Sequence, residues 1–166
     1  GYEYLKFAIF QNKPIIKIRL IKFISRLIYG NADKIIVSSS ADKDFINKTF
    51  KNLNSSIIVK NNWIDTEVFY PKIVKEQKNR ILFVGRLNKQ KNVPLLFNAI
   101  KDLKIGLDVI GDGELKNELF QLAKKNNIDV NFFGRVPNSD MPSIYNKYPL
   151  YVLCSHYEGN PKTLLE

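Results

Sequence analysis

Two glutamates near the end of the chain, Glu158 and Glu166, flank seven residues in the stretch EGNPKTLLE. The apolar run at 150–154 comes just before them and predicts a buried strand. Pro161 suits the first helical position, and Asn160 is a good N-cap. The stretch therefore predicts a strand, a tight turn and the first turn of a helix. The free N–H groups of such a helix start bind phosphate.

The ligand that this stretch predicts is a diphosphate with a hydroxylated ring on either side. Lys162, Thr163 and Leu164 supply the free N–H groups, and Glu158 and Glu166 accept hydrogen bonds from sugar hydroxyls. Diphosphate and hydroxylated rings together describe a nucleotide-sugar. The bare spacing is equally compatible with a surface helix that carries two solvated acids.

A second set of charged residues follows the predicted strand at 80–84. Arg86 and Lys91 flank the turn that begins at Gly85. A partly desolvated diphosphate needs cations, and a hydrogen bond to a charged group contributes about 1.5–3 kcal/mol. Arg grips two oxygens at once, whereas Lys acts as a point charge. The alternative interpretation is a pair of solvated surface cations.

The second half of the chain alternates predicted strands and helices. Predicted helices cover about 92–103 and 114–126, and a short one opens at 138–142. This alternation predicts a parallel sheet, whose ligands bind at the carboxyl ends of the strands. The turns that we expect to gather on that edge contain Gly85, Gly111, Gly134 and Glu158.

A helix predicted at 13–29 has an apolar face and a basic face. The apolar residues at helical spacing are Ile16, Leu20, Phe23, Ile24 and Leu27. The basic residues are Arg19, Lys22 and Arg26. One interpretation is a crossover helix packed on a sheet, and the other is an interfacial helix that touches anionic lipid.

The rest of the first half also alternates. We predict a strand at 32–38, a helix from Ser39 to Phe50 capped by Ser40, and a strand at 56–60. Residues 61–71 are irregular, and the polar stretch 72–79 predicts a linker.

Composition limits the classes of function. The 26 Lys and Arg against 16 Asp and Glu give a net charge of +10, which suggests an anionic partner. The cations do not form a block interleaved with exposed aromatics, so nucleic acid is disfavoured. One cysteine, Cys154, and one histidine, His156, leave no Cys/His metal cluster and no internal disulfide, which fits the reducing cytoplasm. No apolar run reaches the ~20 residues of a membrane span.

Several motifs together resemble the retaining nucleotide-sugar glycosyltransferases of family 4, the group 1 glycosyltransferases. The resemblance covers roughly residues 32–166. One departure is Trp63, which stands where the family's interdomain link usually has Gly. The motifs that carry the resemblance are ADKIIVSSS, NWIDTEVFYP, VGRLNKQKN, GDGE, FGRV and EGNPKTLLE.

The resemblance implies an α/β fold of the GT-B type, with two Rossmann-like domains. Residues 1–73 would be the end of the acceptor-side domain with its linker. Residues 74–166 would be the first part of the donor domain. Because the chain begins at Gly1 and stops at Glu166 inside a predicted helix, we expect an internal piece of a longer protein. We expect that piece alone to lack transferase activity.

The resemblance also implies roles for individual residues. Glu158 is the catalytic-site carboxylate that positions the donor sugar, and Glu166 holds the ribose. The backbone of Arg135 and Val136 meets the base, and neither a metal nor another cofactor is expected. The donor diphosphate is expected on Arg86, Lys91, Gly159, Asn160, Lys162 and Thr163.

The implied reaction transfers a sugar from a nucleoside-diphosphate donor to a glycan or lipid-linked acceptor with retention of configuration. We expect a cytoplasmic protein, with peripheral contact to the inner face of the membrane through the basic helix. The alternative is a non-catalytic nucleotide-sugar binding module on the same fold, because fold alone does not fix function.

Overall fold

A computed structural model describes residues 4–166, which form two compact units. The first unit contains the chain up to Trp63 together with Glu158–Pro161. The second unit contains Ile64–Tyr157 and Lys162–Glu166. The predicted assignment of 1–73 and 74–166 to acceptor and donor domains stays a prediction.

The first unit is a two-stranded parallel sheet covered by helices. Its helices are α1 (Tyr4–Phe10), α2 (Ile15–Gly30) and α3 (Ser40–Thr49), and its strands are β1 (Lys34–Val37) and β2 (Ser56–Val59). Its buried core residues are Leu5, Ile35, Ile46 and Phe50.

The start of α3 corrects one prediction. The cap is Ser39 and not Ser40, because the extended backbone of Ser39 lets its hydroxyl accept from the N–H of Asp42 at 3.1 Å.

Helix α2 agrees with the predicted bounds of 13–29 to within two residues at each end. The face that packs on the core is not the one formed by the predicted apolar residues. Ile18, Ile21 and Tyr29 pack on the core, and Ser25 is buried. The apolar face that a crossover helix would bury is exposed instead, and its members are Ile16, Leu20, Phe23, Ile24 and Leu27. The periodicity could not choose between the two faces, because apolar residues lie around much of this helix.

The second unit is built on a three-stranded parallel sheet in the order β3-β4-β5. The strands are β3 (Arg80–Val84), β4 (Gly106–Ile110) and β5 (Val130–Gly134). All of β4 is buried, as expected for a central parallel strand. The predicted α/β architecture with parallel strands is confirmed.

Successive residues of each strand face opposite sides of this sheet. Phe83 and Val109 point to a core formed with α4 (Val93–Ile100) and α5 (Lys116–Lys125). Leu82 and Ile110 point to the other face, where Met141 of α6 (Met141–Tyr145) packs with Phe69 from the segment before β3. Short 3₁₀ turns at Lys89–Lys91 and Asn138–Asp140 precede α4 and α6.

The predicted strand at 150–154 is not formed. Tyr151 makes a single parallel bridge to Leu82, and Leu150 is exposed rather than buried. Val152 and Cys154 still pack against the core on one face of the sheet, and Tyr151 packs against the cluster on the other face.

The last helix, α7 (Lys162–Leu165), is one turn long and starts one residue later than predicted. Glu166 therefore comes directly after α7, where its N–H donates to the carbonyl of Lys162 at 3.0 Å.

Candidate functional site

Three of the four predicted turns lie together at the carboxyl ends of the strands. The N–H of Gly85 donates to the carbonyl of Ile110 at 2.9 Å, and the N–H of Gly111 donates to the carbonyl of Gly134 at 2.7 Å. These bonds continue the sheet into the turns, so the backbone at the end of each strand is held in place.

The GDG turn is glycine-rich because two backbone segments approach it closely. Gly111 has a φ of 134°, and a Cβ there would collide with the carbonyl oxygen of Gly85. A Cβ at Gly113 would collide with the carbonyl oxygen of Leu87. The glycines therefore fix the turn geometry, and the Asp112 carboxylate accepts from the N–H of Gly113 at 2.8 Å.

A cavity of about 440 Å³ opens over these turns. It combines cationic side chains with carboxylate, hydroxyl and backbone groups, as polar ligands require. The predicted site residues that line it are Arg86, Arg135, Val136, Thr163 and Glu166.

The two arginines give the cavity its positive charge. Arg86 and Arg135 are both exposed, and within residues 4–166 neither guanidinium forms an ion pair. Each retains its N–H donors for an anion that enters the cavity.

A pair of tyrosines holds the acidic side of the cavity, and the motif-based reasoning missed it. The Tyr145 hydroxyl donates to Oε2 of Glu166 at 3.1 Å, and the Tyr151 hydroxyl donates to Oγ1 of Thr163 at 2.9 Å. The two rings pack edge to face at 6.0 Å. Burial, together with the charge of Glu166, raises the pKa of Tyr145, so its hydroxyl stays a donor. The aromatic run SIYNKYPLY was the signal that could have found this pair.

Lys91 is placed differently from a surface cation. It is 9 % exposed, and the Asn88 side chain accepts from its N–H at the start of the 3₁₀ turn. A Cβ at Gly85 would lie 3.3 Å from Cε of Lys91, so the alkyl stem runs beside the Gly85 turn. The solvated-cation alternative is therefore wrong for Lys91, although Lys91 does not line the cavity.

The remaining predicted residues lie outside the cavity lining. Glu158, Gly159 and Asn160 are grouped by their contacts with the first unit, where Asn62 Nδ2 donates to the carbonyl of Asn160 at 2.5 Å. Lys162 is exposed at the start of α7.

A second charged cluster lies on the sheet away from the cavity. The Arg80 guanidinium contacts Asp108 and Asp129, each at 2.7 Å. The Tyr148 hydroxyl donates to Asp108 at 2.5 Å, and Asn131 Nδ2 donates to it at 2.8 Å. Burial alone would raise the pKa of Asp108, but the hydrogen bonds from Arg80, Tyr148 and Asn131 outweigh it and hold the pKa below its ordinary value.

The described residues show neither a metal-ligand cluster nor a membrane-spanning helix. Within residues 4–166, no group of three or more His, Cys, Asp and Glu side chains is arranged to hold a metal ion. No helix in the same range is both long and apolar enough to cross a membrane. The expected absence of a metal cofactor stays a prediction.

An open parallel sheet with a cavity at its carboxyl edge is typical of a Rossmann-like domain. The family described as glycosyl transferases group 1 matches residues 65–166. The chain therefore belongs to the group 1 glycosyltransferases, and its structural neighbours have the predicted GT-B fold.

Two relatives come from bacteria. The chain is 30% identical over 161 residues to GalNAc-alpha-(1->4)-GalNAc-alpha-(1->3)-diNAcBac-PP-undecaprenol alpha-1,4-N-acetyl-D-galactosaminyltransferase of Campylobacter jejuni, covering 93% of this chain and 44% of the relative. It is 30% identical over 144 residues to the amylovoran biosynthesis glycosyltransferase AmsD of Erwinia amylovora, covering 83% of this chain and 41% of the relative. The chain thus spans less than half the length of both relatives.

One solved neighbour is Staphylococcus aureus TarM, in a complex that contains UDP and alpha-GlcNAc-glycerol. It matches with a TM-score of 0.72 and 18% identity, covering 85% of this chain and 29% of TarM. This likeness supports the fold.

Proposed function

We propose that the chain is the part of a retaining glycosyltransferase that binds a nucleoside-diphosphate-sugar. The sugar is transferred to a glycan or lipid-linked acceptor in the synthesis of a bacterial surface polysaccharide. The observation that carries this proposal is the cavity at the carboxyl edge of the sheet, which Arg86, Arg135 and Glu166 line together.

The arginines are the groups that stabilise the leaving diphosphate. Negative charge builds up on the diphosphate as the bond to the sugar breaks, and fixed cations lower the free energy of that transition state. Arg86 follows a backbone turn held by the sheet, so the backbone that carries this side chain is fixed before the donor binds. Lys91 adds positive charge behind the Gly85 turn, where burial strengthens its field.

The opposite side of the cavity is suited to the nucleoside. Glu166 accepts one hydrogen bond from Tyr145 and has further lone pairs for the two ribose hydroxyls. Next to it, the backbone of Arg135 and Val136 presents the base-reading groups. Thr163, held by Tyr151, offers its N–H and hydroxyl to the diphosphate.

Glu158 has the role of positioning the donor sugar. In a retaining transfer, departure and attack occur on the same face of the sugar, so orientation sets the rate. Gly159, Asn160 and Lys162 contribute backbone and side-chain donors to the diphosphate in this scheme.

The relatives support sugar transfer in general, without specifying the donor or the stereochemistry for this chain. The named substrate of the Campylobacter jejuni relative is linked to PP-undecaprenol, and the TarM complex contains UDP. The alternative, a non-catalytic module that binds the same donor, retains the cavity but lacks transfer. Turnover therefore decides between the two.

The test compares two conservative variants, Glu166→Gln and Glu158→Gln, with Glu118→Gln on α5 as the control. Calorimetry with UDP, GDP and ADP should show weaker binding for Glu166→Gln and nearly unchanged binding for Glu158→Gln. Transfer from a panel of donors is measured in the longer gene product, because the chain spans 44% of its relative. There Glu158→Gln should lose turnover, and equal losses of nucleotide binding in both variants would contradict the assigned roles.

We also propose peripheral contact with the anionic inner face of the membrane through α2. Phe23 and the other outward apolar residues are exposed, and Arg19, Lys22 and Arg26 are exposed on the same helix. Such an amphipathic surface inserts shallowly into a bilayer, and each cation near an anionic surface adds about 1 kcal/mol. The face that packs on the core is the opposite one, so contact with lipid would not disturb the fold.

Flotation with neutral and anionic vesicles tests the membrane proposal. Phe23, 60 % exposed, and Phe120 on α5, 55 % exposed, form a matched pair. Phe23→Ser should reduce binding to anionic vesicles, whereas Phe120→Ser should not. Equal effects of the two substitutions, or self-association through α2 without vesicle binding, would exclude the lipid role.

A further inference from the structure

Gln90 is a buried polar residue that the proposed mechanism does not use. It is 2 % exposed and lies in the 3₁₀ turn Lys89–Lys91. The side-chain Nε2 of Gln90 donates to the backbone carbonyl of Tyr157 at 3.0 Å. The backbone carbonyl of Gln90 accepts from the N–H of His156 at 2.8 Å. One residue therefore bonds two consecutive residues that come directly before Glu158.

A third contact joins the same two stretches of chain. The Cys154 thiol lies 3.2 Å from the carbonyl oxygen of Lys91 and 3.4 Å from that of Asn92. The segment 154–157 has no strand pairing of its own, so these contacts with the 3₁₀ turn replace the missing sheet bonds. The segment 154–157, which comes directly before Glu158, is thus tied to the turn that carries Lys91.

A glutamine side chain at this buried position is less favourable for stability than an apolar side chain of the same size. Its Oε1 is buried and has no hydrogen-bond partner within residues 4–166. A buried acceptor without a partner loses its hydration free energy, which an apolar side chain of the same size would not lose. The amide is therefore poorly explained by stability alone, and its one side-chain bond goes to Tyr157.

We propose that Gln90 is a positioning residue, which holds the 156–157 segment so that Glu158 is preformed for transfer. This inference rests on the proposed transferase function. Gln90 acts through the Tyr157 carbonyl and touches neither donor nor acceptor in this scheme. Its loss should slow the chemical step and leave nucleotide affinity unchanged.

The test uses Gln90→Met, which keeps the volume and removes both the donor and the unpartnered acceptor. Gln90→Asn is the second variant, because it keeps the amide but is one methylene too short to reach Tyr157. Gln121→Met, at an exposed site on α5, is the control. Thermal unfolding confirms that each variant is folded.

Hydrogen exchange of the chain 1–166 provides a readout that does not depend on transfer. The amides of residues 154–160 should exchange about tenfold faster in both Gln90 variants, because a side-chain bond that restrains the segment is lost. The amides of β4 should keep their protection. Unchanged exchange at 154–160 would show that the bond to Tyr157 holds nothing in place.

Kinetics of the longer gene product completes the test. We expect kcat to fall about tenfold, with the donor KM and the affinity for nucleoside diphosphate changing less than twofold. Parallel losses of kcat and nucleotide affinity, or an unchanged kcat in a folded variant, would overturn the positioning role. If the unsubstituted protein transfers no sugar from any donor, the proposed function fails, and the positioning role in transfer fails with it. The exchange result would still show whether Gln90 restrains the segment.

Discussion

Arg80 is the first residue of β3 and Arg86 lies two residues beyond its carboxyl end, and their surroundings differ. Arg80 is 19 % exposed and bonds two carboxylates and the carbonyl of Leu107. Arg86 is exposed over a cavity, and within residues 4–166 its guanidinium has no carboxylate partner. Two arginines six positions apart therefore differ in whether their donors are already paired.

The difference follows from what each guanidinium can still bind. Guanidinium N–H donors that are used inside the protein stabilise it and are not available to a ligand. Donors left open at the carboxyl edge of a parallel sheet add little to stability but offer strong, charge-assisted bonds to an anion. Pairing, more than sequence context or charge, decides whether an arginine still has donors to offer a ligand.

Removing the paired arginine should have the largest effect. Arg80→Leu leaves the Asp108 carboxylate, 4 % exposed, buried without its cation, which should destabilise the second unit by about 3 kcal/mol. Denaturant unfolding measures the loss, with Arg26→Leu on α2 as the exposed control. The double variant Arg80→Leu/Asp108→Asn should recover part of it. No recovery would show that packing of the Arg80 stem, and not charge, is what matters.

Removing the open arginine should affect binding and leave stability intact. Arg86→Ala should weaken binding of the nucleoside diphosphate ten- to hundredfold, about 1.4–2.8 kcal/mol. Calorimetry with the nucleotide gives the affinity, and thermal unfolding should match that of the unsubstituted chain. Arg26→Ala serves as the control. An unchanged affinity for a folded Arg86→Ala would place this arginine among the solvated surface cations.

The charged cluster of Arg80, Asp108 and Asp129 should also affect how stability depends on pH. Because the pKa of Asp108 is lower in the folded state than in the unfolded chain, its stabilisation is complete above the unfolded value of about 3.9 and is lost as pH falls through the folded pKa. The slope due to this one proton is at most about 1.4 kcal/mol per pH unit. Unfolding measured from pH 7 to acid should show a shallower slope for Asp108→Asn, while the exposed control Asp102→Asn keeps the original slope.

The smallest effect is expected at the acidic side of the cavity. Tyr145→Phe removes one hydrogen bond to Glu166, so nucleotide binding should weaken by roughly 0.5–1.5 kcal/mol through a less restrained carboxylate. Tyr148→Phe removes instead the hydroxyl that donates to Asp108, and it should leave the affinity for the nucleotide unchanged. If Tyr145→Phe and Tyr148→Phe bind the nucleotide with the same affinity, Tyr145 does not orient Glu166.

The sequence by itself determined the strands of the second unit and the turns at their ends. Apolar runs bounded by glycine specify β3, β4 and β5 locally, and parallel strands bring Gly85, Gly111 and Gly134 to one edge. That placed Arg86 and Arg135 in one region, because each directly follows a turn glycine at the end of a strand.

Only the tertiary structure decided which groups are paired, buried or exposed. The outward face of α2 and the single bridge at Tyr151 depend on which surfaces find partners, and local periodicity carries no such information. Likewise, Arg80 meets Asp108 and Gln90 meets Tyr157 across separations of 28 and 67 residues. The free energy of a charge or an amide depends on its neighbours in space, so packing sets the role of these residues.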